Sequence, residues 1–267
     1  VQIVEEIEYR LSKINKLKSE LIREKQRLTE YRWNLISRAV TGGLNPSLPM
    51  KDSGIQWIGK IPSHWQVARV GVLYKLSNGL SKKGEFFGRG YPFVSYGDVY
   101  KNIFLPENVL GLVDSSLQER FSCSVRRGDV FFTRTSETIE ELAMSSVALE
   151  DIENATFAGF LIRARPIVNQ LLPEFSGFYF RSNCHRNFFA SESNLVTRAS
   201  LSQTLLGKLP VLIPPLSEQK KISDYCRHVD SKIQLIQDKI SLLIDSMEEY
   251  RSSVISKMLC FDEKAPC

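Results

Sequence analysis

Apolar residues recur every seven positions from the start of the chain: Ile7, Ile14, Leu21, Leu28 and Leu35. Leu17 and Tyr31 follow two of them by three residues, and most of the remaining positions up to about Thr41 are charged or polar. A seven-residue step on an α-helix returns to nearly the same side, so the pattern predicts one long helix with a coiled-coil seam. Gly42-Gly43 ends it, and Pro46 and Pro49 forbid its continuation.

The far end of the chain repeats the pattern. Pro214-Pro215 blocks an earlier start, Ser217 can cap a new helix, and Glu218 suits its positive end. The seam then runs Cys226, Ile233, Ile240, Met247 and Val254, with Val229, Ile236, Leu243 and Tyr250 as its second row. An offset of 219 carries Glu30-Tyr31-Arg32 onto Glu249-Tyr250-Arg251 and Ser12-Lys13-Ile14 onto Ser231-Lys232-Ile233. Tripeptides shared in register go beyond shared heptads and mark an internal repeat. Burying the seams against each other predicts an antiparallel stalk, with Ile14, Leu17, Leu21, Leu28 and Tyr31 facing Ile233, Ile236, Ile240, Met247 and Tyr250. About 34 residues at ~1.5 Å each give it a length of ~50 Å. Such a rod either spaces a domain from something at its far end or is a hairpin that only stabilises the fold. The helices alone leave both readings open.

Between the helices the texture changes. Short runs rich in Val, Phe and Tyr predict strands at Tyr91–Val94, Asp129–Phe132 and Phe157–Ile162. Asn78-Gly79, Gly88-Arg89-Gly90 and Gly97-Asp98 read as turns. Pro173–Phe189 reads as a helix with Phe175, Phe178, Tyr179 and Phe188 turned to the core. The organisation expected is a long helix over 1–44, a globular domain over 45–213, a second long helix over 214–260 and a tail over 261–267. The fold class is α+β: one globular domain flanked by two long helices that form an antiparallel coiled-coil stalk.

Composition narrows the function. The net charge is +5 and the pI about 8.9, a balance compatible with nucleic acid. No apolar run approaches the ~18 residues that span a bilayer, so no membrane partner is expected. Five cysteines without a CxxC pair argue against a zinc site or a disulfide framework and for a reducing cytoplasm. His64, His185 and His228 form no metal-binding spacing, and Cys184-His185 are adjacent, a poor placement for a nucleophile and its base. Gly84, Gly88 and Gly90 lack the GxxxxGK[ST] phosphate cradle, and no Asn or Asp precedes Pro214-Pro215 as an adenine methyltransferase requires. The sequence therefore predicts no catalytic residues and no bound metal.

What accumulates is chemistry suited to DNA on predicted loops. Lys82, Lys83 and Arg89 flank glycines, where backbone can approach a phosphate, and Tyr96, Tyr100 and Lys101 follow. Arg126-Arg127 precede a predicted strand, and Arg134, Thr135 and Ser136 follow it. Ser193-Asn194, Thr197 and Arg198 come later. Arg can bridge guanine, Asn can bridge adenine and hydroxyls read either edge, whereas Lys and Arg on phosphates give affinity without choice of sequence.

These segments resemble a known family. Ile61-Pro62-Ser63-His64-Trp65 followed by Asn78-Gly79 resembles the start of a target recognition domain in the specificity subunits of type I restriction-modification systems. Asp129–Arg134 and Phe157–Arg163 are similar to its middle and its later signature strand. Leu201–Lys221, with LPVLIPPLSEQKK, and the helix ends at Glu30–Leu44 and Glu249–Lys257 resemble its conserved regions. The family pattern is domain, helix, domain, helix. Here Ile222 pairs with Ile3, which places the counterpart of PPLSEQ just before Val1. The chain is thus expected to be the C-terminal part of a longer subunit, with a natural half-subunit as the alternative.

The resemblance implies recognition of one half of a bipartite site on double-stranded DNA, with the stalk setting the gap and docking modification (methyltransferase) subunits. Those subunits use S-adenosylmethionine, and restriction subunits joined through the complex use ATP and Mg. This chain would hold none of these cofactors, and Arg134 and Arg198 are its foremost base-reading candidates. A lone half could also pair with a second copy through the stalk. Two other classes stay open: the recognition part of a fused methyltransferase-nuclease, and a coiled-coil adaptor whose globule binds protein.

Overall fold

The computed structural model describes residues 2–136, 142–185, 188–189 and 199–262. The two heptad segments are helices at Gln2–Gly42 and Leu216–Asp262. Contacts divide the chain into two compact units, one of residues 1–35 with 227–267 and one of residues 36–226, so the division falls inside both helices.

The first unit is an antiparallel helix pair. Lys18 pairs with Glu248, Lys25 Nζ donates to Ser241 Oγ at 2.6 Å, and Arg32 lies 3.3 Å from Asp230, so one residue number rises as the other falls. Gln237 reaches Thr29 Oγ1 at 2.7 Å and the carbonyl of Lys25 at 3.0 Å. The repeat organises these ties. Moving Lys18 forward by the repeat offset gives Gln237, and moving Glu248 back by it gives Thr29. One tie is thus the quasi-two-fold mate of the other.

The first seam row behaves as its spacing predicts. Ile233 is buried, and Ile14, Leu21, Leu28, Ile240 and Met247 are half-buried. In the second row Val229 is buried, but Leu17, Tyr31, Ile236, Leu243 and Tyr250 are 52%, 57%, 45%, 55% and 54% exposed, which corrects the predicted interface. The reason is geometric. At ~100° per residue, the position three beyond the seam lies ~60° to one side and the position four beyond lies ~40° to the other. The helices close on the second of these, where Lys18, Lys25, Arg32, Asp230 and Gln237 make the polar ties. Apart from Val229, the apolar row is left facing outward.

In the second unit a four-stranded antiparallel sheet runs in the order Tyr74–Asn78, Leu161–Pro166, Val130–Thr133, Ser145–Val147. A three-stranded sheet sets Thr156–Phe157 parallel to Phe87–Val94, which pairs with Leu112–Val113. Gln66–Arg69 pairs with Pro210–Ile213, and Met50–Asp52 with Lys60–Pro62. The core is aromatic, with Trp65, Phe131, Phe132, Phe157, Phe175, Phe178, Tyr179 and Phe180 at 0–1% exposure. Burial on that scale contributes about 25 cal/mol per Å² of apolar surface and is the main force holding the domain together.

Local differences from the expected elements have physical causes. The predicted strand Phe157–Ile162 is broken, because Gly159 donates to the Leu80 carbonyl and Leu161 N–H turns back to Ala158 O. Gly88 and Gly90, at φ +87° and +94°, form a bulge inside a strand instead of a turn. Gly97-Asp98 lies inside a short helix, Tyr96–Lys101, fixed by reciprocal capping between Ser95 and Asp98. The helix from Pro173 stops at Arg181, while Phe175, Phe178, Tyr179 and Phe188 are buried as the spacing predicts.

Candidate nucleic-acid interface

Strand register defines one end of the four-stranded sheet. Thr133 pairs with Leu161, Asn78 with Ile162, and Ser145 with Phe132, so four strands finish or begin together there. Arg134 leaves this end with both backbone groups held: its N–H donates to Phe160 O at 2.9 Å, and its carbonyl accepts from Leu201 N–H at 2.7 Å. Among the described residues its guanidinium makes no hydrogen bond or ion pair. A backbone fixed on two sides beneath an unengaged fork of five N–H donors is suited to bidentate recognition.

Neighbours complete the cluster. Tyr96 donates its hydroxyl proton to the Thr135 carbonyl at 2.9 Å and stacks on Tyr100, with ring centroids 6.0 Å apart. Thr135–Ser136 pairs with Ala199–Ser200, and Gln203 Nε2 donates to Asn78 Oδ1 at 2.9 Å. Arg134, Thr135, Ser136 and Tyr96 therefore come together as one group. Thr197 and Arg198, with Ser193-Asn194, lie outside the described residues, although Ala199, next along the chain, pairs with Ser136. Phe160, 66% exposed and bonded through its carbonyl to Arg134, belongs to the same end. Sequence reasoning placed it inside a strand; the signal for its exposure was the glycine before it.

The glycine-flanked cations separate from one another. Lys82 is tied down: its ammonium lies 2.8 Å from Glu119 Oε2 and 2.6 Å from the Asp114 carbonyl, and 5.0 Å from the Phe86 ring centre. Its side chain is 15% exposed, and it is the first cause of the lowered pKa of the Glu119 carboxyl. Lys83 is exposed, and Arg89 is 71% exposed with only a 4.0 Å approach to Asp114. Arg126 and Arg127 precede Val130 and so lie at the opposite end of the sheet from Arg134. Arg127 is engaged by Glu174 at 3.0 Å and by the Leu149 carbonyl.

Other arginines are structural. Arg165 grips the fully buried Asp129 through Nε–Oδ1 at 2.7 Å and Nη2–Oδ2 at 2.6 Å. Arg181 binds the carbonyls of Val99, Ser145 and Tyr100. Cys184 and His185 do meet, with Sγ 3.4 Å from Nε2. That nitrogen also lies 3.0 Å from the Tyr179 carbonyl, an acceptor that keeps a proton on it. A nitrogen already protonated cannot take the thiol proton. Among the described residues no group of three or more His, Cys, Asp or Glu could hold a metal ion, and no helix is long and apolar enough to cross a membrane.

The profile described as type I restriction modification DNA specificity domain matches residues 62–244, more than half of the chain. The chain is 24% identical over 263 residues to the type I restriction enzyme EcoKI specificity subunit of Escherichia coli K12, covering 96% of this chain and 54% of that protein. It is 26% identical over 178 residues to the type I restriction enzyme HindI specificity subunit of Haemophilus influenzae, covering 65% and 37%. The chain thus spans about half the length, or less, of these relatives. A solved structure from work on complex assembly and conformational transition of the type I R-M system superposes with a TM-score of 0.69 at 15% identity, covering 96% of this chain and 57% of that one. The HsdS subunit from Thermoanaerobacter tengcongensis gives 0.56 at 14% identity, covering 96% and 56%. These likenesses establish the shared mixed helix-and-sheet fold.

Proposed function

The chain belongs to the type I restriction modification DNA specificity domain family, and from that premise we propose that it reads one half of a bipartite DNA target for a type I restriction-modification complex while catalysing nothing itself. The observation that carries this reading is the sheet end at Arg134. There, among the described residues, a guanidinium without a hydrogen bond or ion pair, the Thr135 backbone held by Tyr96 and the exposed Phe160 converge. Arg supplies the commonest specific contact to guanine, and an exposed aromatic can meet a thymine methyl group. Lys83 and Arg89 supply phosphate contacts in this reading, and Lys82 positions the loop they stand on.

The stalk docks the modification subunits. Its outward rows, Leu17 and Tyr31 on one helix and Ile236 and Tyr250 on the other, are related by the repeat and offer two similar apolar faces. Two like faces suit two copies of one partner. S-adenosylmethionine, ATP and Mg belong to partner subunits, and pairing of two copies of this chain would bring two reading ends to one DNA.

Selection from a pool of random DNA duplexes tests the proposal. Enrichment of a short motif that the Arg134→Ala variant no longer enriches supports it. Binding without any motif, lost as salt rises, would reduce the sheet end to phosphate contact.

A further inference from the structure

The short helix Leu117–Ser122 is fastened on one side and bare on the other. Ser116 and Glu119 cap it reciprocally, and Glu119 is held by Lys82. Arg120 lies over the Tyr91 ring at 3.6 Å and donates to the Ser115 carbonyl. With that side anchored, Leu117 and Phe121, four residues apart on one helical face, stand 77% and 80% exposed. Single exposed apolar residues are ordinary, but two large ones on one fixed face beside a hollow are not.

The hollow has a volume of about 550 Å³ and is lined by Leu117, Phe121, Arg120, Arg126, Ser124 and Asn154 among others, with no carboxylate in its lining. Among the described residues the Arg126 guanidinium has no hydrogen bond or ion pair. Behind the wall, the Ser124 carbonyl accepts from both Arg163 and Arg165. The Asp129 carboxylate is already shared between Arg165 and the Arg126 N–H. Burial, and then the neighbouring Arg165, lowers the Arg163 guanidinium from its ordinary range, while Asp129 raises it. We propose that this hollow is a docking site for an acidic amphipathic segment of a partner protein: its apolar side chains meet Leu117 and Phe121, and its carboxylates meet Arg126 and Arg120.

Two observations favour peptide over DNA. Phosphates gain nothing from Leu117 and Phe121, and the hollow lies before Val130, at the sheet end away from Arg134. The site is therefore separate from the proposed reading end; setting DNA aside rests in part on that reading, whereas the apolar pair and Arg126 do not.

The test is a phage-displayed random-peptide selection on the full chain, counter-selected on the Leu117→Ala/Phe121→Ala double variant. Enriched peptides are expected to carry Leu or Phe at helical spacing flanked by Asp or Glu. Their affinity, read by fluorescence polarisation, should fall at least about ten-fold in the double variant and in Arg126→Glu, whose melting should match the parent because these side chains point outward. Enrichment of neutral or basic peptides, or none that the counter-selection removes, overturns the proposal. So does displacement of the peptide by a DNA duplex, which would make the hollow part of the nucleic-acid surface.

Discussion

The indole N–H of Trp65 donates to Oε2 of Glu218 at 2.9 Å, joining residues 153 positions apart. His64 Nε2 lies 2.6 Å from the other oxygen of the same carboxylate. Trp65 is fully buried, so its N–H has no water to turn to. Glu218, read from sequence as a residue suited to the positive end of a helix, thus also ties the first strand region of the domain to the start of the last helix.

Glu218→Ala should strand the buried indole donor and destabilise the domain by ~1–3 kcal/mol. Glu218→Gln keeps an acceptor for Trp65 and should lose less. Urea midpoints of the two variants decide this; equal midpoints for Ala and the parent would show that the tie contributes nothing.

Gly79 is required by close packing. A Cβ there would lie 2.2 Å from the Ala158 carbonyl oxygen and 2.4 Å from that of Phe157, both backbone atoms that cannot rotate away. At Gly84 nothing lies within 4 Å. Gly79→Ala should therefore cost ~1–3 kcal/mol through forced backbone movement, and Gly84→Ala far less. Thermal melts of the pair isolate the packing effect from the change in backbone freedom common to any Gly→Ala replacement.

The ties of the stalk differ in sign. Lys18, and next Arg251, lower the Glu248 carboxyl below its usual range, so its contribution is present at neutral pH and lost as pH falls through the lowered value. Asp230 is the opposite case. Burial raises its carboxyl pKa more than Arg32 lowers it, so ionising Asp230 opposes folding at neutral pH despite the 3.3 Å ion pair. Asp230→Asn should leave the helix pair unchanged or more stable at pH 7. The difference should vanish near pH 3, where both states hold the proton. Helical circular dichroism melts at the two pH values check this, and a clear loss at pH 7 alone would contradict it.

The long helices and their repeat were legible because a seven-residue period survives any tertiary context. Which second row closes the pair was not: Leu17 and Lys18 flank the seam on opposite sides, and the choice rests on partners such as Glu248 on another helix. The same limit governed the site. Arg134 and Arg165 look alike in sequence, yet Arg165 is consumed by Asp129, 36 residues away, while Arg134 has no side-chain partner among the described residues. Lys82 read as a phosphate contact because its glycine neighbours are visible and its ties to Glu119 and Asp114 are not. Arg198 and Thr197 fall outside the described residues.

That contrast between Arg134 and Lys82 gives the sharpest expectation for DNA. Arg134→Ala removes a guanidinium bound to nothing among the described residues, so melting should be unchanged. Discrimination at one base pair should weaken by ~1–3 kcal/mol. Lys82→Ala breaks a tie to Glu119 and to the Asp114 carbonyl, so it should cost ~0.5–1.5 kcal/mol of stability and leave the selected motif intact. Arg89→Ala, by contrast, should lower affinity evenly across sequences and shallow the salt dependence, as loss of a phosphate contact does. Measuring all three against the selected duplex and single-base variants at two salt concentrations separates the roles. A motif relaxed by Lys82→Ala and untouched by Arg134→Ala would move the reading surface from the sheet end to the glycine-flanked loop.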